Sequence, residues 1–171
     1  MLYKTYYQAP IGQLGLISDG KAITGLYLPN QQDFDQHFSS ALVEKDLVLF
    51  NKAKSWLDGY FKGKNEEIDF PLKPEGTPFQ KEVWEQLRSI PYGQTATYST
   101  IAQTIARKRG IKKMAAQAVG SAVGKNPISI LIPCHRVVGK NGSLIGYSGG
   151  LDTKVVLLDL ERVDTSQFVL P

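Results

Sequence analysis

Cys134 is the only cysteine in the 171-residue chain, and it stands in Pro133-Cys134-His135-Arg136, directly before one of only two histidines. An imidazole and a guanidinium beside a thiol both favour the thiolate, the form that acts as nucleophile. Proline lacks a backbone donor and ends the strand expected before it, which places the thiol at a pocket edge. Neighbouring residues of extended chain point to opposite faces, so Cys134 and His135 meet only through a turn or a bridging water. A histidine base also needs a third group to fix its tautomer. The acids downstream of Glu85 are Asp152, Asp159, Glu161 and Asp164. Glu161 shares a helix face with Leu157 and Leu158, whereas Asp159 shares one with Val155 and Val156, so periodicity leaves both open.

One cysteine and two histidines, His37 and His135, exclude an intrachain disulfide and a multi-cysteine zinc site. With 42% hydrophobic and 21% charged residues the chain has the profile of a globular protein with a real core. No run approaches the ~18 apolar residues of a membrane span, and the amino terminus lacks an apolar signal segment. The expectation is a cytoplasmic protein that uses neither membrane, metal nor cofactor. Charge is unevenly spread. Residues 1–76 carry eight Lys/Arg against ten Asp/Glu, a balance of −2, and residues 77–171 carry twelve against six, a balance of +6. Between Glu85 and Asp152 there is no acidic residue, while Arg88, Arg107, Lys108, Arg109, Lys112, Lys113, Lys125, Arg136 and Lys140 are basic. Such an expanse is the electrostatic footprint for a polyanion, nucleic acid first among them.

The elements that must position Cys134 fall into two parts, 1–76 and 77–171. In the first, Leu2 to Ala9, Gln13 to Ser18 and Ala22 to Leu28 read as strands, with Asp19-Gly20 suited to a tight hairpin turn. Phe50, Ala53, Leu57, Tyr60 and Phe61 recur at helical spacing, and Gly63 marks that helix's end. Residues 64–76 read as a linker. In the second part Thr77-Pro78-Phe79-Gln80 is a helix start with a capping box, followed by a stripe of Phe79, Val83, Leu87 and Ile90. A shorter helix from about Thr97, the basic turn Arg107-Lys108-Arg109-Gly110 and a small-residue helix over about 112–123 make a helix-turn-helix outline. Glycine within that last helix lowers its stability by up to about 1 kcal/mol, which points to close approach of a ligand. Ile128 to Ile132 reads as a buried strand, Lys140-Asn141-Gly142-Ser143 as the turn of a small wing, and Val155 to Leu160 as a carboxy-terminal helix starting near Asp152 or Thr153.

Ile132-Pro133-Cys134-His135-Arg136-Val137 resembles the active-site motif of the O6-alkylguanine-DNA alkyltransferases, the methylated-DNA protein-cysteine methyltransferases. Thr77 to Gln80 with Val83-Trp84, Ile90-Pro91-Tyr92-Gly93, Tyr98, Asn126-Pro127, Gly146-Tyr147-Ser148-Gly149-Gly150 and Leu157-Leu158 to Glu161 follow the family's order and approximate spacing. Residues 77–162 match closely, and residues 1–76 resemble the variable amino-terminal domain, most visibly at Tyr60-Phe61-Lys62-Gly63.

The resemblance implies an α/β protein, with a ribonuclease H-like α/β domain over 1–76 and a winged-helix-like, helix-turn-helix domain over 77–171. It implies single-turnover transfer of an alkyl group from O6-alkylguanine, with O4-alkylthymine as a further substrate, in double-stranded DNA bound through the minor groove by a monomer. Cys134 is then the acceptor, His135 the base acting through water, and Glu161 the group that orients His135. Tyr98 is implied as hydrogen-bond donor to the flipped guanine and Asn126 as support of its pocket, with Tyr147, Ser148 and Gly149 lining it. The backbone carbonyls of Cys134 and Val137 would read the exocyclic amine. Gln117, Ala118, Gly120 and Arg136 complete the expected substrate and DNA contacts. Gln117 departs from the family pattern, which has an arginine there to fill the gap left by the flipped base. Two rival readings are a pure DNA-binding module, which would not need Cys134 and His135, and a thiol hydrolase, which would not need the basic surface.

Overall fold

Short runs of Tyr, Leu and Ile between turn residues form β1 (Tyr3–Ala9), β2 (Gly12–Ser18) and β3 (Ile23–Tyr27), successive antiparallel neighbours. A two-residue strand β4 (Val43–Glu44) pairs parallel with β1, giving the order β3-β2-β1-β4. The computed structural model describes residues 1–29, 31, 42–144 and 150–168. They divide into two units, Met1–Glu75 with Pro127–Leu131, and Gly76–Asn126 with Ile132–Pro171.

In the first unit the Asp19-Gly20 turn forms because Asp19 Oδ1 accepts from the Lys21 and Ala22 N–H groups at 2.8 and 2.9 Å, while Gly20 takes φ +95°. Helix α1 (Val48–Phe61) buries Phe50, Ala53, Leu57 and Tyr60, the stripe that the spacing predicts. Gly63, at φ +85°, donates to Tyr60 O at its end. Residues 71–73 of the expected linker instead run beside β3, where the Ile23 N–H donates to Pro71 O at 2.9 Å and the Lys73 N–H to Ile23 O at 2.8 Å. Proline is tolerated there because only its carbonyl is used.

The apolar run 128–132 is not the strand expected of it. Ile128 makes a single parallel bridge to Leu26, flanked by Leu26 N–H to Pro127 O at 2.9 Å and Ser129 N–H to Leu26 O at 3.1 Å. The chain then turns, with the Leu131 N–H donating to Ser129 O at 2.8 Å and Ile130 at φ +68°, a conformation rare for a β-branched residue. Residues 127–131 thus belong with the first unit, a return that a single cut after residue 76 does not describe.

The second unit opens with α2 (Pro78–Arg88). Thr77 Oγ1 accepts from the Gln80 N–H at 3.1 Å and the Gln80 side chain accepts from the Thr77 N–H at 3.0 Å, the full capping box. Its buried face holds Val83, Trp84 and Leu87, and Trp84 donates its indole N–H to Ala122 O at 2.8 Å. Phe79, expected in the core stripe, is half-buried under the Arg109 guanidinium. Helix α3 (Tyr98–Arg109) is capped by Thr97 and ends on Gly110 in the left-handed region. Helix α4 (Ala116–Gly124) starts four residues later than expected. Lys112 and Lys113 precede it, and the positive end of a helix dipole does not favour cations in its first turn. In the wing, Asn141 and Gly142 form the expected turn at positive φ, β6 (Val137–Val138) pairs in parallel with β5 (Ala96–Thr97), and Ile145, expected beyond the turn, lies outside the described residues. Helix α5 (Leu151–Leu160) closes the unit. Leu158 packs with Val138, Leu144 and Val163. Among the described residues no helix is long and apolar enough to cross a membrane.

Candidate active site

Pro133 leads directly into a single 3-10 turn over Cys134–Arg136, with the Cys134 N–H donating to Ile132 O at 2.8 Å and the Val137 N–H to Cys134 O. The alternation of an extended chain therefore does not apply to Cys134 and His135. The thiol is buried, at 3% exposure. Asn126, itself buried, fixes the approach to it by donating from Nδ2 to Ile132 O at 2.9 Å.

Helix α5 packs against this turn and presents Lys154, Leu157 and Leu158 inward, with Glu161 one residue beyond its end on the same face. Glu161 is the carboxylate that meets the imidazole, at 2.6 Å between Oε2 and His135 Nε2. Asp159 is exposed and accepts from Thr165 Oγ1 at 2.6 Å, so packing decides what periodicity left open. Glu161 also receives the Arg136 guanidinium, with Nε to Oε1 at 2.7 Å and Nη2 to Oε2 at 3.2 Å, and a long contact of 3.4 Å from the Gly93 N–H. Gly93 sits at φ +80°, and a Cβ there would lie 3.3 Å from Glu161 O. The turn Pro91-Tyr92-Gly93 thus has a structural use beyond ending α2: it seats the residue that seats the histidine.

Burial opposes charging His135 and lowers its pKa, although the hydrogen bond and charge of Glu161 pull the other way. Burial alone would raise Glu161, but His135 and Arg136 outweigh it and hold the carboxyl at about 2. The pair therefore rests as a carboxylate and a neutral imidazole, with the shared proton on Nε2 and Nδ1 as the acceptor nitrogen. Arg136 corrects an expectation: at 12% side-chain exposure it binds Glu161 and donates from Nη1 to Ile90 O at 2.7 Å, so it is not a cation held out to DNA. The Val137 carbonyl likewise already accepts from Lys154 Nζ at 2.5 Å. Lys154 was missed by the sequence reading, yet its spacing to Leu157, Leu158 and Glu161 is that of one helix face.

Tyr98, at the start of α3, and Gln117, Gly120 and Ser121 of α4 line a cleft of about 520 Å³ with Gly139 and Lys140. The Tyr98 hydroxyl is harder to ionise than usual, through burial first and through the charge of Cys134 second. Its ring lies over Gly120, 3.7 Å from where a Cβ would stand. Gln117 and Ala118 are exposed on α4. A second cleft, of about 630 Å³, carries the cations Arg107, Lys112 and Lys113 along the α3–α4 turn. Tyr147, Ser148 and Gly149 lie outside the described residues. Among those described, no group of three His, Cys, Asp or Glu residues is placed to hold a metal ion.

Comparison with known proteins agrees with this layout. Residues 2–74 match the ribonuclease-like domain of 6-O-methylguanine DNA methyltransferase, and residues 78–163 match its DNA-binding domain. A methylated-DNA–protein-cysteine methyltransferase of Haemophilus influenzae is 42% identical over 95% of this chain and 87% of its own. One from Methanosarcina acetivorans is 40% identical over 94% and 98%. In structure, the chain is similar to Mycobacterium tuberculosis OGT in complex with DNA, at TM-score 0.82, 38% identity and coverage of 96% and 98%. With both halves of the family matched in order and identity of this level along nearly the whole length, the chain belongs to the methylated-DNA–protein-cysteine methyltransferases.

Proposed function

We propose that the protein repairs DNA by direct reversal, moving an alkyl group from guanine O6, and from thymine O4, onto Cys134, once per molecule. The observation that carries this reading is the buried His135–Glu161 pair immediately after the chain's only thiol. His135 Nδ1 takes the thiol proton through a water, and the sulfur attacks the alkyl carbon in line. The S–C bond forms, the C–O6 bond breaks, and the electron pair departs with the guanine, which is reprotonated. Tyr98 stabilises that leaving charge by donating its hydroxyl, which burial keeps protonated. The product is a thioether, and among the described residues no group is placed to cleave it.

A base inside a duplex must leave the stack first, at a cost of a few kcal/mol. The exposed small residues of α4, Ala118 and Ser121, suit entry into a minor groove beside Gln117, and Arg107, Lys112, Lys113 and Lys125 neutralise phosphates. The solved complex of Mycobacterium tuberculosis OGT with DNA supports DNA as partner. The protein acts as a monomer in the cytoplasm. Intact mass after incubation with methylated duplex tests the reading: a gain of one methylene on wild type and none on Cys134→Ser is expected. Repaired guanine in excess over protein, or a gain that persists in Cys134→Ser, would overturn it.

A further inference from the structure

The cleft of about 520 Å³ beside α4 is lined by uncharged residues with one exception, Lys140. Tyr98 comes to it from the start of α3, Gln117 and Gly120 from α4, and Lys140 from the turn that follows β6. The Lys140 side chain is exposed and forms no ion pair among the described residues. Its backbone, in contrast, is held. The Gly139 N–H donates to Ser143 O at 2.6 Å across the turn, Asn141 and Gly142 take the positive φ that the turn needs, and Val138 just before it packs with Leu144, Leu158 and Val163. A turn anchored in this way brings the ammonium to the cleft with only side-chain freedom left to lose on binding.

The cations lining the clefts beside α4 divide between the two. Arg107, Lys112 and Lys113 line the cleft of about 630 Å³ between α3 and the start of α4, and Lys140 lines the one that holds Tyr98. A nucleotide that leaves the stack carries its flanking phosphates with it. When its base enters beside Tyr98, the backbone of that nucleotide meets a cleft in which Gln117 is uncharged and Lys140 is the one cation. An ammonium, a point charge with three rotatable donors, can follow a phosphate that moves. We propose that Lys140 is a substrate-binding residue that grips the phosphate backbone of the extruded nucleotide, whereas Arg107, Lys112 and Lys113 contact phosphates whether or not a base is extruded. The inference rests on the repair reading above.

Equilibrium binding in a Cys134→Ser background, which lacks the acceptor, compares a duplex carrying O6-methylguanine with the same duplex unmodified. Lys140→Gln should weaken binding of the methylated duplex about threefold to fivefold and of the unmodified one under about twofold. Lys113→Gln, the comparator from the other cleft, should weaken both alike. The slope of log affinity against log salt on methylated duplex should become shallower by about one in Lys140→Gln, the mark of one lost phosphate contact. Lys140→Arg keeps the charge and should keep the preference for methylated duplex. With Cys134 restored, Lys140→Gln should slow single-turnover repair at sub-saturating duplex by a similar factor. Equal losses on the two duplexes, no loss on either, or a loss in Lys140→Arg as large as in Lys140→Gln would each overturn the proposal. Intact mass of the wild type on the same methylated duplex separates the two failures. A methylene gained on Cys134 with Lys140→Gln silent sinks this inference alone, and no methylene gained sinks the repair reading and this inference with it.

Discussion

The two units bury different kinds of polar group. In the first, among the described residues, the buried polar side chains are Thr5, Ser18, Gln31 and Ser129, all neutral. Ser18 and Gln31 serve nearby backbone, through Ser18 Oγ to Ala22 O at 2.7 Å and the Leu28 N–H to Gln31 Oε1 at 3.0 Å. In the second unit His135, Lys154 and Glu161 are buried, with Arg136 nearly so. Neutral local bonds contribute about 1 kcal/mol each. The Arg136–Glu161 pair holds only when complete, since removal of one partner strands the other, whereas the Lys154 ammonium on the Val137 carbonyl is a cost in itself. The helical unit therefore gives up stability margin to keep an ionised network beside its thiol.

Removing the centre of that network should produce the largest effect. Glu161→Gln leaves the Arg136 guanidinium without its carboxylate and should destabilise by about 3–5 kcal/mol, whereas Ser18→Ala in the first unit should cost about 1. Asp159→Asn should be nearly silent. Denaturant midpoints check all three, and an Asp159 effect as large as that of Glu161 would undo the assignment.

Acid should separate the units next. Glu161 titrates at about 2 when folded against 4.5 ordinarily, so its contribution of about 3 kcal/mol is complete above pH 4.5 and is lost as pH falls towards 2. His135, with a lowered pKa, adds a loss that begins below its ordinary 6.5, where the unfolded chain takes up a proton that the folded one resists. The units carry one tryptophan each, Trp56 and Trp84. With Trp56→Phe and Trp84→Phe as single-reporter variants, the Trp84 signal should change at higher pH. Coincident transitions would show that buried charge does not set acid stability here.

Lys154→Met should change stability in the opposite direction. The folded ammonium titrates at about 8 against 10.5, so below pH 8 it costs about 3 kcal/mol, relieved as pH rises from 8 to 10.5. Losing its hydrogen bond to Val137 O returns about 1 kcal/mol of that. A net gain of about 2 kcal/mol at pH 7, with slower alkyl transfer, is the expected pair of results. Slower transfer with lower stability would mark the lysine as a packing element.

The smallest effects are expected on α4. Gly120→Ala meets the Tyr98 ring at an ordinary 3.7 Å, so it should stabilise by up to about 1 kcal/mol. Impaired duplex repair despite that gain would assign the glycine to DNA approach. Gln117→Arg should leave stability unchanged and speed repair in duplex more than attack on free alkylguanine, because a guanidinium stacks and hydrogen-bonds where glutamine does so only in part. Equal changes on both substrates would remove Gln117 from the flipping position.

Local signals were the legible part of the chain. The Thr77 capping box, the α1 stripe and the Asp19-Gly20 turn are each written within a few residues, and each forms. Partner choice was less legible. Residue type offered Arg136 as a DNA-facing cation, and only the fold shows it bound to Glu161 from 25 residues away. The run 128–132 has the apolar content of a buried strand or a buried turn alike, and Ile130 in the left-handed region settles it. The parallel pairing of β6 with β5 leaves no local mark beside the Asn-Gly turn. Lys154 was hidden by a sound generality, that lysines stay exposed, although its position on the Leu157–Leu158–Glu161 face was available.

The return of residues 127–131 to the first unit bears on how the protein is made. Chains emerge from the ribosome amino terminus first, and early domains ordinarily fold before later ones exist. Here the sheet unit lacks the Ile128 bridge to Leu26 until more than fifty residues of the helical unit have been translated. The nascent amino-terminal half therefore waits with an unfinished edge at Leu26. The segment that completes it is the one that leads, three residues later, to Cys134.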